Sequence, residues 1–502
     1  MPLSRSPAAL LMALVGLAVA LRAPNLIDRD LWGDELIQYQ ISSAPSLPEV
    51  FSRLRLLDRN PPGYALLAHA ALCLHHSDAM LRLPAVAGGM GAVVLAWYAG
   101  KLWLGLRGAV LLAALNAVAP SYVFYSCEAR PYSLGIAAIL WFLLCLGRFR
   151  RRATPSRAAF LAASATAAIS VQYANLIAVA VVLTVTAAFS LASGRLTLRT
   201  AALGGAIAAT TALAAALNIF AFMCPQIATH GTGNSDFLAP YFFELGSYAS
   251  LKTFLTTNLS GFIGHTTFSE YMGHLSPAWH KVSLIGLLPL AGVLAAALRR
   301  GTQAKLIAAL SLSTFLAFVL LAGVGAHPFG AVRHTLPLTP LLYLLYATGM
   351  VLLRRYVVSR AASGLAFLLL VVQMLTADAA LVPGYMRFDY RMMQAHIAGK
   401  RRPREWVVVT GPLASPGLKH LSGSDRWDQV PWFYVPHSPR TPHEAAEIRG
   451  LLKEAFKNSS GIWFVEDLAP ATDLRAFGAH CEETCTLSGV VASHWKQHVD
   501  RR

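Results

Sequence analysis

The chain has 502 residues, 55% of them hydrophobic and 13% charged, with a formal net charge of +17. Soluble domains carry roughly 25% charged residues, so this composition excludes a chain that is soluble throughout. Nor does the positive charge indicate nucleic acid, because Arg and Lys stand beside long apolar runs, as membrane topology requires.

The apolar runs continue to about residue 382, and from about 385 the composition is that of an ordinary soluble domain. This predicts a membrane domain over 1–384 and a soluble domain over 385–502. A spanning helix needs about 20 mostly apolar residues. The first candidate, 7–22, reads as an uncleaved helix: Arg5 precedes it, but no small-residue cleavage site ends it. Further candidates follow at 82–100, 108–125, 131–147, 158–172, 174–192, 200–223, 282–298, 306–325, 335–353 and 361–382, about eleven in all. Residues 62–77 are apolar but short and carry His69, His75 and His76. They are expected to form a juxtamembrane or re-entrant helix, which is tolerated at that depth only under cover of protein.

Basic residues orient such helices. The basic linkers are Lys101 with Arg107, Arg148 with Arg150, Arg151 and Arg152, Arg195 with Arg199, Arg299 and Arg300 with Lys305, and Arg354 and Arg355 with Arg360. With all of these on the cytoplasmic side the helices alternate without contradiction. The tail and two long loops, 23–81 and 224–281, then lie outside. The expectation is a multi-pass protein of the plasma (inner) membrane, with the lipid bilayer as its first partner and its candidate acids and bases on the outer side.

Four constellations on that side could carry chemistry. Asp34 and Glu35 follow the first helix. The plain reading is a solvated loop; the functional one is a carboxylate that deprotonates an acceptor hydroxyl at the membrane surface. Adjacent carboxylates point in different directions, so one acts and the other positions. Asp58 and Asn60 precede Pro61 and Pro62, which stop one helix and stiffen the start of the next; beyond that turn role, Asp58 is a second acid. In Tyr125-Ser126-Cys127-Glu128-Ala129-Arg130-Pro131-Tyr132, Glu128 and Arg130 could form a local ion pair. Alternatively the planar guanidinium of Arg130 suits a lipid phosphate. Arg333 and His334 open the tenth candidate span, and an outer arginine runs against the topology trend. Gln172 and Tyr173 are a weaker polar interruption between two apolar runs.

The order of these pieces resembles the dolichyl-phosphate-mannose–protein mannosyltransferase superfamily, whose bacterial branch includes the aminoarabinose transferase that modifies lipid A. The motifs are Asp34-Glu35, Asn60-Pro61-Pro62, Leu81-Arg82-Leu83-Pro84 and the run from Tyr125 to Tyr132. The resemblance covers residues 1–175 and returns at Arg333 with Pro337 and Pro340. It implies a type C glycosyltransferase fold, a polyprenyl-phosphate sugar donor and an extracytoplasmic acceptor: an envelope glycan, lipid or protein. It also implies Asp34 as the catalytic acidic residue with Glu35 as its neighbour. Arg130 and Arg333 would face the donor phosphate, with Glu128, Tyr132 and His334 beside them. Asp58, Asn60 and Tyr173 would serve the acceptor or position the loop. His334 departs from the family's frequent Tyr, and Gln172 from its frequent His. The leaving group is already a phosphate ester, so the chemistry does not require a metal; a divalent ion is compatible with it but no residue cluster indicates one. Direct inverting displacement is the simplest scheme. A polyprenyl-lipid flippase or transporter, or a non-catalytic assembly subunit, is the alternative.

In the tail, 406–410 and 461–466 read as strands and 443–456 as an amphipathic helix, which together suggest a small α/β domain. Cys481 and Cys485 are expected to form a local disulfide if the tail is extracytoplasmic.

Overall fold

The computed structural model describes residues 6–26, 31, 33–194, 196–230, 238–244, 247–259, 261–262, 302–330 and 333–353. It also describes residues 405–410, 432–435, 462–467, 479–487 and 490–497, and scattered residues between 368 and 400. Helices dominate. Helix α1 is Pro7–Arg22, α2 Gly33–Ser42, α3 Leu47–Leu57, α4 Pro62–Leu74 and α5 Asp78–Val118. Then follow α6 Pro120–Tyr125, α7 Tyr132–Arg151, α8 Pro155–Val171, α9 Ala174–Ala192, α10 Leu198–Asn218, α11 Cys224–His230 and α12 Tyr248–Phe254. Helix α13 is Thr302–Gly323 and α14 is Thr339–Leu353.

Their starts follow local rules. Ser77 accepts from the Met80 amide, 3.3 Å away, to cap α5. Thr154 accepts from the Arg157 amide at 3.4 Å, with Pro155 at the first helical position of α8. Thr197 and Thr200 form a reciprocal capping box on α10. Gln172 is extended, so α8 and α9 are two helices rather than one. Helix α5 is two legs: Gly105 takes φ +80°, a conformation that favours glycine. A Cβ on Gly100 would meet the Gly108 carbonyl oxygen at 2.4 Å. Eight residues along one straight helix would separate these glycines by about 12 Å, so the chain folds back on itself and small residues let the legs touch.

Six helices among the described residues are long and apolar enough to cross a membrane, with α5 counted once. The expected spans at 282–298 and over nearly all of 361–382 lie outside the described residues. Helix α4, with 13 residues, is about 20 Å long and falls short of the hydrocarbon thickness. Its Tyr64 hydroxyl donates to the Leu81 carbonyl at 3.1 Å, and Gly63 lies against Ser170. The span expected at 200–223 runs further than the sequence suggested. A wider π-helical turn, Ile219–Met223, carries α10 straight into α11, so residues 224–230 are helix rather than loop.

Two of the basic linkers, 101–107 and 148–152, meet at one end of this bundle beside the start of α13. The Arg151 guanidinium donates to the Leu102 carbonyl, Arg150 lies 5.6 Å over the Trp103 ring, and the Gln303 amide donates to the Trp103 carbonyl. At the other end α7 begins beside the loop 126–131 and the turn that opens α14.

By its internal contacts the chain divides into two compact units: residues 1–26 with 41–383, and residues 27–40 with 384–502. The second contains a five-stranded mixed sheet. Its strands are β1 Trp406–Thr410, β2 Trp432–Val435, β3 Ile462–Asp467, β4 Ala479–Leu487 and β5 Val490–Gln497, in the order β2-β1-β3-β5-β4. Strands β1, β2 and β3 are parallel, and β5 is antiparallel to both β3 and β4. Below this sheet Glu405 is buried. It accepts from the Trp463 indole at 3.2 Å and pairs with His494 at 3.1 Å, while Trp463 and His494 stack at 4.7 Å. The helix expected at 443–456 lies outside the described residues. The Cys481–Cys485 disulfide is corrected: both residues lie along β4, paired opposite Trp495 and Ala492, and Cys481 is exposed and forms no disulfide. Four residues of strand span about 13 Å, well beyond the roughly 7 Å that a disulfide tolerates.

Candidate functional site

The run from Tyr125 to Tyr132 is buried throughout. Proline at the first position starts the short α6, and the chain then turns sharply, with the Arg130 amide donating to the Glu128 carbonyl at 2.7 Å. Arg22, buried at the end of α1, anchors this turn. Its Nε donates to Ser126 Oγ at 2.8 Å, and its Nη1 donates to the carbonyls of Ala18 and Ala117, each at 3.0 Å. The Cys127 thiol donates to the Arg22 carbonyl at 3.5 Å, and Tyr122 bonds Thr339 of α14. The rings of Tyr125 and Tyr132 meet at 5.0 Å. These polar links lead to α1, α5 and α14, so the loop is held from several sides.

What this scaffold presents is Arg130. Its fork closes on Asp58, with Nη1 to Oδ2 at 3.2 Å and Nη2 to Oδ1 at 3.1 Å, and both side chains are 6% exposed. Asp58 ends α3 in an extended conformation. Its carboxylate also accepts from the Arg59 amide at 2.8 Å and from the Asn60 side-chain amide at 3.1 and 3.2 Å. With so many donors on it, Asp58 is engaged in positioning Arg130 and the turn that precedes α4. A buried bidentate pair of this kind fixes the guanidinium plane.

Behind Asp58 the network continues. Gln226 of α11 is buried and donates to the Asn60 carbonyl at 2.9 Å, and its own carbonyl accepts from the Tyr173 hydroxyl at 3.0 Å. Burial, and then the negative charge of Asp58, push the Tyr173 phenol above its ordinary range, so it stays a neutral donor. Arg55 of α3 binds the π-helical turn as well, donating to the Ala221 carbonyl at 2.9 Å and lying 5.3 Å over Phe222.

The second cation is Arg333, in the 3-10 turn Arg333–Leu338 that opens α14. It lies 5.5 Å over the Tyr132 ring, a cation–π arrangement. His334 follows Arg333 in the same turn. His334 Nδ1 is buried without a hydrogen-bond partner among the described residues. Its carbonyl accepts from His327 Nε2 at 3.2 Å, which identifies the neutral tautomer protonated at that nitrogen. Burial lowers the pKa of His327 to about 4, and the bond to His334 offsets part of that shift.

Asp58, Asn60, Glu128, Arg130, Tyr132, Tyr173, Arg333 and His334 therefore share the end of the bundle opposite the basic linkers. Asp34 and Glu35 belong to the other compact unit, where they form the first turn of α2. Carboxylates are favoured at a helix N-terminus. The two differ as adjacent residues should: Glu35 is fully buried and Asp34 half-buried. Among the described residues no three His, Cys, Asp or Glu side chains converge as a metal site. Sequence reasoning missed Arg22, Gln226 and His327. Gln226 had a faint signal, a polar residue just after Pro225 at the end of an apolar run.

No protein-family model matches this sequence, and no curated protein matches it. Solved structures do. ArnT from Cupriavidus metallidurans in the apo state is similar with a TM-score of 0.59 at 13% identity, over 96% of this chain and 97% of that one. The same protein bound to undecaprenyl phosphate gives a TM-score of 0.57 at 14% identity over the same shares. The apo oligosaccharyltransferase from Archaeoglobus fulgidus gives 0.55 at 11% identity, over 93% of this chain and 70% of that one. The chain thus has the type C glycosyltransferase fold along nearly its whole length.

Proposed function

We propose that this protein is a membrane glycosyltransferase that moves a sugar from a polyprenyl-phosphate carrier to an extracytoplasmic acceptor in the cell envelope. The observation that carries the reading is a pair of arginines, Arg130 gripped by Asp58 and Arg333 over the Tyr132 ring, at the end of the bundle away from the linkers 101–107 and 148–152. Topology does not call for cations there, whereas a phosphate does. The fold agrees, since it is shared with ArnT, which has been seen with undecaprenyl phosphate bound.

In the proposed step the acceptor oxygen bonds to the anomeric carbon as the bond from that carbon to the phosphate oxygen breaks. The carrier departs as polyprenyl phosphate with one more negative charge. Arg130 and Arg333 stabilise that developing charge, and fixed charges aimed where charge develops are usually the largest catalytic term. Asp58 keeps Arg130 oriented. The acceptor proton passes to Asp34, and configuration inverts. His327, neutral near pH 7, adds no competing charge.

The test is twofold. Purified protein should bind undecaprenyl phosphate, and Arg130→Gln and Arg333→Gln should each weaken that binding. Mass spectrometry of envelope lipids, glycans and proteins from cells with and without the gene should show one glycan modification lost. Unchanged envelopes, together with no affinity for undecaprenyl phosphate, would remove the reading.

A further inference from the structure

The opposite end of the bundle has its own chemistry. Residues 79–127 and 129–235 contain no Asp or Glu. Two linkers in that stretch, 101–107 and 148–157, come together around Trp103. Trp103 is buried, with its indole N–H donating to the Leu143 carbonyl at 3.1 Å. Lys101, Arg107, Arg148, Arg151 and Arg152 are exposed around it.

The backbone takes up part of this charge. Arg157 donates to the Arg148 carbonyl at 2.9 Å and the Arg152 carbonyl at 3.3 Å. It thereby neutralises the C-terminal carbonyls of α7, where a cation is favoured by the helix dipole. Arg151 is held by the Leu102 carbonyl. No carboxylate of these linkers offsets Lys101, Arg148 or Arg152. Uncompensated like charges this close repel one another, and in water only solvent and salt relieve them. At a membrane boundary, anionic headgroups do so.

We propose that this end is a docking surface for the phosphates of anionic phospholipids in the leaflet it meets, built around Trp103 with Lys101, Arg148 and Arg152 as its phosphate-binding side chains. Three features fit a headgroup better than a soluble anion. The cluster lies where α5, α7 and α13 leave the apolar bundle. The buried Trp103, with Arg150 5.6 Å over its ring, ties both linkers to that boundary. The cationic groups come from separate linkers, so they form a broad surface rather than a pocket.

The experiment titrates phosphatidylglycerol, and in parallel phosphatidylcholine, into the full-length protein in neutral detergent, with bound lipids counted by native mass spectrometry. The wild type should prefer phosphatidylglycerol. A basic residue near an anionic surface contributes about fivefold in binding, so replacing Lys101, Arg148 and Arg152 together with Gln should weaken that preference roughly a hundredfold. These three side chains support no hydrogen bond described above, so the variant should fold. The charge-preserving Lys101→Arg, Arg148→Lys and Arg152→Lys variant should keep the preference, which separates charge from packing. Equal affinity for the two lipids in the wild type would overturn the proposal, as would an unaffected preference in the Gln variant. Displacement of the bound lipid by inorganic phosphate at low concentration would also overturn it, in favour of a soluble-anion site.

Discussion

Replacing Asp58 with Asn tests the architecture of the candidate site most directly. The substitution keeps shape but removes the charge facing Arg130, and it turns an amide towards a guanidinium that already carries only donors. Both partners are 6% exposed, so Arg130 would lose this bidentate counter-charge in a buried setting. Breaking a buried pair from one side costs about 3–5 kcal/mol. Because Asp58 also accepts from the Arg59 amide at 2.8 Å and from Asn60, the upper half of that range is expected. Arg130→Gln should cost a similar amount. The double variant should be less destabilised than the sum of the singles by about 2–3 kcal/mol, the coupling typical of residues in one network. Equilibrium unfolding in mixed micelles against increasing dodecyl sulfate would measure all three. If each single variant cost less than about 1 kcal/mol, as exposed ion pairs do, and the double were additive, the pair would not hold the site as argued.

Further outcomes follow from the same geometry. Asp34→Asn keeps size but cannot take a proton; it should fold and bind donor yet transfer sugar at least about a hundredfold more slowly, with Glu35→Gln milder in single-turnover assays, and near-normal turnover by Asp34→Asn would eliminate it as the base. Arg333→Lys keeps charge but loses the planar fork stacked on Tyr132, so undecaprenyl-phosphate binding should weaken while membrane insertion is unchanged. His327 is held neutral in the fold, with its pKa lowered to about 4. The unfolded chain therefore binds the extra proton first, and its contribution, up to about 3 kcal/mol, is present above pH ~6.5 and is lost as pH falls towards 4. His327→Gln should flatten that part of the stability profile, and an unchanged slope would assign it to another group. In the tail, Cys481 should react with a thiol reagent without prior reduction, since β4 holds it away from Cys485; a mapped Cys481–Cys485 bridge would contradict the strand.

Much of the membrane domain was legible along the chain for a physical reason. A spanning helix must satisfy its own backbone and present an apolar surface to lipid, so its signature is local and one-dimensional. Hence 131–147 and 174–192 emerged close to their final limits, and Gln172 and Tyr173 marked a true break. The basic linkers at 101–107 and 148–152 were assigned to one face from composition alone, and they do meet at Trp103. The motif order also pointed to the fold that the solved structures share. Pairings across the chain could not be read in this way. Asp58 and Arg130 are 72 residues apart, and only packing made them partners. Gln226 looked like the start of a loop until the π-helical turn carried α10 onward and placed it under Asn60. The cysteines failed from the other direction: their spacing suits a turn, but pairing with β5 drew that segment into a strand. Such choices depend on which neighbour satisfies a buried polar group, and that neighbour is named by the tertiary structure rather than by distance along the sequence.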